Sequence, residues 1–288
     1  ASVSIYLLGA SSPAPNADSA IPVADTPYML SHDVSDYTDF MMSGGPPPDG
    51  IPSIDDPQFI GANAAGLDDD DMIIGFVRKG EARAYPQHIM VYHEIVNDVV
   101  GGLNVAITYC PLTATSQGFK RGDTTLGVSG QLLNSNLVMF DRATESYFSQ
   151  IAATGLTETY TGDSLDEVNL IWTTWGQWRS KHPNTQVLSE DTGHMRNYNS
   201  DPYGRYNPVG GYYNDREVIF PLMEESDRHH PKEMVVGART AEESVHFVMS
   251  DLQEERVQHT GGFVAVYDSA FDTGYIYKTD TQPTITPL

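Results

Sequence analysis

The chain has 288 residues, room for one large or two modest domains, and 40% of it is hydrophobic, enough for a real core. Asp plus Glu number 39 against 16 Lys plus Arg, a net charge of −23 that repels nucleic acid and anionic headgroups and favours cations or a salty medium. One cysteine excludes an internal disulfide, and no apolar run approaches the ~20 residues of a membrane helix.

The first element is a strand at residues 2–8, where Ser2, Val3, Ser4, Ile5, Tyr6, Leu7 and Leu8 form a β-branched, apolar run. A Pro-, Ser- and Ala-rich linker follows, then a Pro-Gly cluster over residues 43–52. Residues 1–57 therefore read as an extended N-terminal arm with little core of its own, and residues 58–288 as a β-rich domain. The start at Ala1, without an initiator Met, fits a mature product after signal cleavage.

From Met72 onward short strands dominate. Residues 73–77 are an apolar strand, and Pro86 suits the first turn of a short helix reaching about Met90. Residues 94–100 and 103–109 flank Gly101-Gly102, a two-residue hairpin signal. Strands are expected at 117–120, 125–129, 137–141 and 146–150. Thr174 with Gln177 makes a capping-box pattern that opens a helix carrying Trp175 and Trp178 and stopping before Pro183. MIIGFVRKGEARAYP from Met72 aligns with MVVGARTAEESVHFV from Met234, and GGLNVAITY is echoed by GGFVAVYD from Gly261. This suggests one β-unit used twice, over 72–120 and 234–280, to close a sheet-based core; chance likeness between strand-turn-strand pieces is the alternative.

Several ordered stretches also match a known pattern: IIGFVRKGEARAYP from Ile73, HEIVND from His93, TYCPLTAT from Thr108, VSGQLLNSNLVMFDRATESYFSQ from Val128, TTWGQWRSKHPNTQVLS from Thr173 and HPKEMVVG from His230. Together they resemble the family of the domain of unknown function numbered 3179, over about residues 70–280. The resemblance implies an exported protein of extracellular or cell-surface location. The family pattern has Cys-Pro-Leu-Cys where this chain has Cys110-Pro111-Leu112-Thr113, so the second thiol is missing.

Cys110 with His93 is the sharpest chemical pair. A thiolate and an imidazole can hold a soft metal such as copper or zinc, or activate a nucleophile. The plain alternative is an inert buried thiol. On a strand starting at His93, alternation puts His93, Ile95 and Asn97 on one face and Glu94, Val96 and Asp98 on the other, so the four polar groups cannot meet on one ion. Asp68, Asp69, Asp70 and Asp71 suit weak calcium binding or a solvated turn, and lack the spacing of a calcium loop. The segment 198–213 holds five tyrosines and reads either as a stacking or association surface or as a loop packed on its own rings.

These features lead to a β-dominated α+β fold with a sandwich- or barrel-like core of short antiparallel strands, few short helices and an extended arm. They suggest an acidic structural or assembly protein that self-associates through residues 2–8 into a filament or surface layer. A metal-binding or redox protein using Cys110 and His93 is the alternative. The expected partners are the chain itself and cations; nucleic acid and a transmembrane segment are not expected, and no catalytic residue is singled out.

Overall fold

The computed structural model describes residues 21–279, so the strand expected at residues 2–8 lies outside the described residues. Among the described residues, short strands dominate and four seven-residue helices, Val34–Phe40, Gln87–His93, Trp175–Lys181 and Met249–Glu255, punctuate them. The fold is β-dominated, with several antiparallel sheets, and among the described residues no barrel closes.

The central unit starts with the hairpin Met72–Arg78 and Glu81–Pro86. Its turn, Lys79-Gly80, uses positive φ at both residues (48° and 83°). The helix Gln87–His93 follows Pro86 and runs three residues beyond Met90. It stops because the Glu94 N–H bonds back to the Met90 carbonyl at 2.7 Å while Glu94 itself takes φ 58°, ψ −30°. His93 is therefore the last helical residue and does not begin the strand. The alternation that grouped it with Ile95 and Asn97 fails for that reason. The meander Ile95–Val100, Leu103–Cys110 and Thr115–Lys120 comes next. Its first turn is Gly101-Gly102, with φ 54° and 73°, the left-handed pair that a two-residue hairpin favours.

This meander is buried on both faces. Val105, Ile107 and Tyr109 pack with Ile74, Tyr85, Val96 and Val100 on one side. Ala106 and Cys110 pack with Ile95, Phe119, Leu126, Leu137, Met139 and Phe148 on the other. The period of two along Leu103–Cys110 is what divides these neighbours between two cores. Each such large apolar side chain contributes roughly 1.5–3 kcal/mol on burial. The second face is closed by Leu126–Leu133, Asn136–Asp141 and Tyr147–Ser149, paired antiparallel.

The arm is less separate than its composition suggests. Ile21 and Ile54 are buried, and Met42–Ser43 pairs with Leu132 and Gln131. Ile54 lies parallel to the outer edge of Ile95–Val100: its N–H reaches the Ile95 carbonyl at 2.9 Å, and its carbonyl accepts from the Asn97 N–H at 2.8 Å.

Residues 235–278 repeat the element order of the central unit: hairpin Val235–Arg239 and Ser244–Val248, helix Met249–Glu255, then Val257–Thr260, Phe263–Asp268 and Thr273–Lys278. The registers correspond. Ile73↔Pro86 matches Val235↔Val248, Ile95↔Thr108 matches Val257↔Val266, and Cys110↔Thr115 matches Asp268↔Thr273. This second unit does not close the first unit's sheet. It forms its own sheets around its own small core, Val236, Phe247, Leu252, Phe263 and Ile276. It docks on the rest through Phe271, which stacks on His182 (6.0 Å, 9°) beside Trp178, and through the Arg239–Glu167 ion pair at 2.6 Å.

The helix Trp175–Lys181 carries the expected capping box, with Thr174 and Gln177 bonded reciprocally. Its buried Trp178 lies directly over Gly75 of the central sheet, where a β-carbon would overlap the indole.

Candidate functional site

The chemistry-bearing residues gather where the helix Gln87–His93 meets the strand Leu103–Cys110, under a lid formed by residues 190–213. The lid contains the small hairpin Gly204–Tyr206 and Val209–Gly211 and places Tyr198, Tyr203, Tyr206 and Tyr213 against the central core. Of the two readings of the tyrosine segment, the packing fits rings that bury one another and the core: Tyr206 and Tyr213 lie 4.1 Å apart by ring centroid, and Trp172 sits between Tyr109 (5.7 Å, stacked) and Tyr206 (5.3 Å, edge-on).

His93 is fully buried with both ring nitrogens engaged. Nδ1 lies 2.8 Å from the Pro52 carbonyl, which can only accept, so Nδ1 carries the proton. Nε2 is then the acceptor for the Tyr198 hydroxyl at 2.6 Å, and Thr192 Oγ1 lies 2.7 Å from that hydroxyl. Burial lowers the His93 pKa to about 4, so the ring is neutral at pH 7. The imidazole thus pins the arm to the lid.

Cys110 is 1% exposed and its sulfur lies 3.9 Å from the Ser135 carbonyl. Burial raises its thiol to about 11, with the Glu94 carboxyl adding to the effect. It is a thiol at neutral pH, and not the thiolate that nucleophilic or redox chemistry uses. Thr113, standing where the family pattern has a second thiol, accepts from Asn136 Nδ2 at 2.8 Å. Asn136 in turn donates to Gln150, which donates to Thr108 (2.9 Å each). The missing thiol position is built into a buried amide-hydroxyl network.

Glu94 differs from both. It is 7% exposed, no hydrogen bond reaches its carboxyl among the described residues, and burial raises its pKa to about 8. Its charge couples to Cys110 and to Tyr203, whose hydroxyl is raised to about 12 by burial first and by Glu94 second. Beside it, Gln87 Nε2 donates to Asp201 Oδ2 at 2.8 Å and also reaches the Tyr109 and Tyr213 hydroxyls (3.3 Å each), while Tyr213 donates to Asp201 at 2.9 Å. Gln87, Asp201 and Tyr109 are members of this site that the sequence reading did not single out. Gln87 and His93 are the polar residues among the buried side chains of their helix, beside Ile89, Met90 and Val91, and for Gln87 that is a weak signal.

The structure does not bring His93 and Cys110 into a common set of ligands. His93 turns to Pro52 and Tyr198, whereas Cys110 faces Ser135, Thr113 and Glu94. Among the described residues, no three His, Cys, Asp or Glu side chains gather to hold a metal. Of Asp68, Asp69, Asp70 and Asp71, Asp69 and Asp71 brace the helix Trp175–Lys181, Asp68 bonds to Asp71, and the Asp70 carbonyl accepts from Asn207 at 3.3 Å. The Asp69 and Asp71 carbonyls accept from Gly176 and Trp175, Asp71 Oδ2 accepts from the Asp68 N–H at 2.8 Å, and Asp69 pairs with Arg179 at 2.8 Å. The candidate assembly residues Ser2 to Leu8 lie outside the described residues.

Fold and site together define a β-rich α+β protein with a largely buried polar interior. The chain belongs to the family described as protein of unknown function (DUF3179), whose model matches residues 48–283 and so includes the end of the arm as well as both units. No curated protein and no solved structure matches.

Proposed function

We propose that this is an exported, acidic structural or assembly protein that self-associates through its N-terminal segment into a filament or surface layer. The observation that carries this reading is the state of His93. Both of its nitrogens are held in a neutral chain from Pro52 to Tyr198, which ties arm to lid and commits this imidazole to structure. Cys110, buried as a thiol, supports the same reading. The surplus of carboxylates suits a surface kept soluble by charge, with cations screening its self-repulsion and permitting association in salt. The extracellular or cell-surface location rests on the family resemblance.

The test is size by light scattering across salt and protein concentration, with and without residues 1–12. Growth beyond the monomer in high salt that vanishes on deletion supports the reading, and a full-length protein that stays monomeric throughout overturns it.

One observation favours a second reading, a metal-binding or redox site at Cys110. The unpartnered carboxyl of Glu94 lies beside that thiol, and copper or zinc would displace protons from both groups. Elemental analysis of the native protein decides this. Stoichiometric metal that is lost in both Cys110→Ser and Glu94→Gln would put this reading first.

A further inference from the structure

The two similar units differ at one sheet edge. In the first, the outer edge of Ile95–Val100 is closed by Ile54, which takes the Ile95 carbonyl and the Asn97 amide into a parallel bridge. The register equates Ile95 and Asn97 with Val257 and His259 of the second unit. Val257–Thr260 is the edge strand of its three-stranded sheet. Alternation along an antiparallel pair turns the backbone groups of Val257 and His259 away from Phe263–Asp268. Among the described residues they meet no strand, bridge or backbone hydrogen bond on that side. His259 and Thr260 are exposed. Among the described residues the second unit thus has the acceptor geometry of the first without its occupant, and open edges of this kind are where strands are added.

We infer that the edge Val257–Thr260 accepts an extended segment from a second copy of this chain, and that the segment is residues 2–8. This rests on the assembly reading and names its acceptor. Two features select the occupant. Val3, Ile5 and Leu7 alternate with Ser and Tyr, and so offer an apolar β-branched residue for the role of Ile54. The twelve residues 9–20 that join this segment to Ile21 span up to about 40 Å when extended. The direction of the chain selects a second copy. Met29 bonds to Thr240 of the second unit, but towards the N-terminus the chain runs to Val23 against Leu165 and to Ile21 under Tyr160, both packed in the first unit's core. At Ile21 the chain is packed in the first unit's core and makes no contact with the edge Val257–Thr260 among the described residues. Donation passed from one copy to the next is head-to-tail, and gives an open polymer where the rotation between copies does not close.

His259→Pro in the full-length chain is the test. Its N–H points outward, so proline removes an edge donor and adds ring bulk there while sparing the ladder to Phe263–Asp268. The expected result is wild-type assembly in high salt, a monomer for His259→Pro with an unchanged circular dichroism spectrum, and assembly retained in His259→Ala, which keeps the N–H. If His259→Pro assembles like wild type, this acceptor is wrong, and the assembly reading survives provided that deleting residues 1–12 still abolishes association. A monomeric His259→Ala would assign the effect to the side chain and overturn strand addition. If the wild type never assembles, the assembly reading fails. The edge is then tested alone, by hydrogen exchange of the Val257 and His259 amides with a synthetic peptide of residues 1–10. Exchange slowed at least tenfold supports the acceptor, and unchanged exchange overturns it. Amides already protected in a monomeric full-length chain, and exposed by the deletion, would mean that the chain's own arm fills the edge, which overturns donation between copies.

Discussion

Glu94 and Arg256 occupy the same backbone position in two similarly built units. Each ends a seven-residue helix, each sits at φ near +60° (58° and 62°), and each carbonyl accepts from a tyrosine amide, Tyr109 at 2.7 Å and Tyr267 at 2.8 Å. The left-handed turn is therefore a requirement of the scaffold and no special strain of one site. What distinguishes the positions is cover. Arg256 is exposed, whereas Glu94 lies beneath the tyrosine lid without a hydrogen-bond partner.

Glu94 makes stability fall as pH rises. Its folded pKa, about 8, exceeds the ordinary glutamate value, so between roughly pH 4.5 and 8 the folded state holds a proton that the unfolded chain releases. The contribution is fully present below that window and lost through it. Glu94→Gln removes the slope, and its stability relative to wild type is expected to rise by about 3–4 kcal/mol between pH 5 and pH 8. Urea melts of both proteins at the two pH values check this.

His93 acts on the acid side. Its folded pKa is lowered to about 4, so its contribution is present above pH 6.5 and lost as pH falls towards 4. His93→Gln is expected to cost about 1–3 kcal/mol at pH 7, through broken buried hydrogen bonds, and to flatten the loss between pH 6.5 and 4. The same melts, extended to pH 4, measure it.

Cys110 is expected to resist thiol reagents in the native protein at pH 8 and to react fully in denaturant, because it is both buried and protonated. Rapid labelling of the native protein would overturn the burial and protonation assigned to Cys110.

Gly75 and Gly237 hold equivalent positions, yet a methyl group at the first overlaps the Trp178 ring while at the second it meets only the Val245 carbonyl at 3.4 Å. Gly75→Ala is expected to lower stability by about 3 kcal/mol or more, and Gly237→Ala to change it by less than about 1 kcal/mol. Thermal melts of the two variants separate them.

With a net charge of −23 and no clustered metal ligands among the described residues, screening is expected to stabilise the fold broadly. Melting temperature should rise from low salt to high NaCl, and rise further in millimolar Ca²⁺ through distributed weak sites. Equal melting in all three media would remove the salt-adapted reading of the surface.

Local patterns were legible in the sequence because their causes are local. The Gly101-Gly102 turn, the Thr174–Gln177 capping box and the hydrophobic strands of the central unit follow from neighbours a few residues apart, and the structure has each of them. Family membership was legible for the same reason, as ordered short motifs. The tertiary structure decided what those motifs do. His93 and Cys110 are close in the chain but point to different partners, because the helix runs on to His93 and Glu94 then reverses the backbone. Glu94 is an unusual acid only because a lid more than a hundred residues away covers it, while its counterpart Arg256 stays in solvent. Likewise Ile54 closes one sheet edge, and among the described residues nothing closes the matching edge, a difference set by where the chain passes and carried by no motif. Burial and the cost of removing a charge from water depend on all the atoms around a group, and that surrounding exists only once the chain has folded.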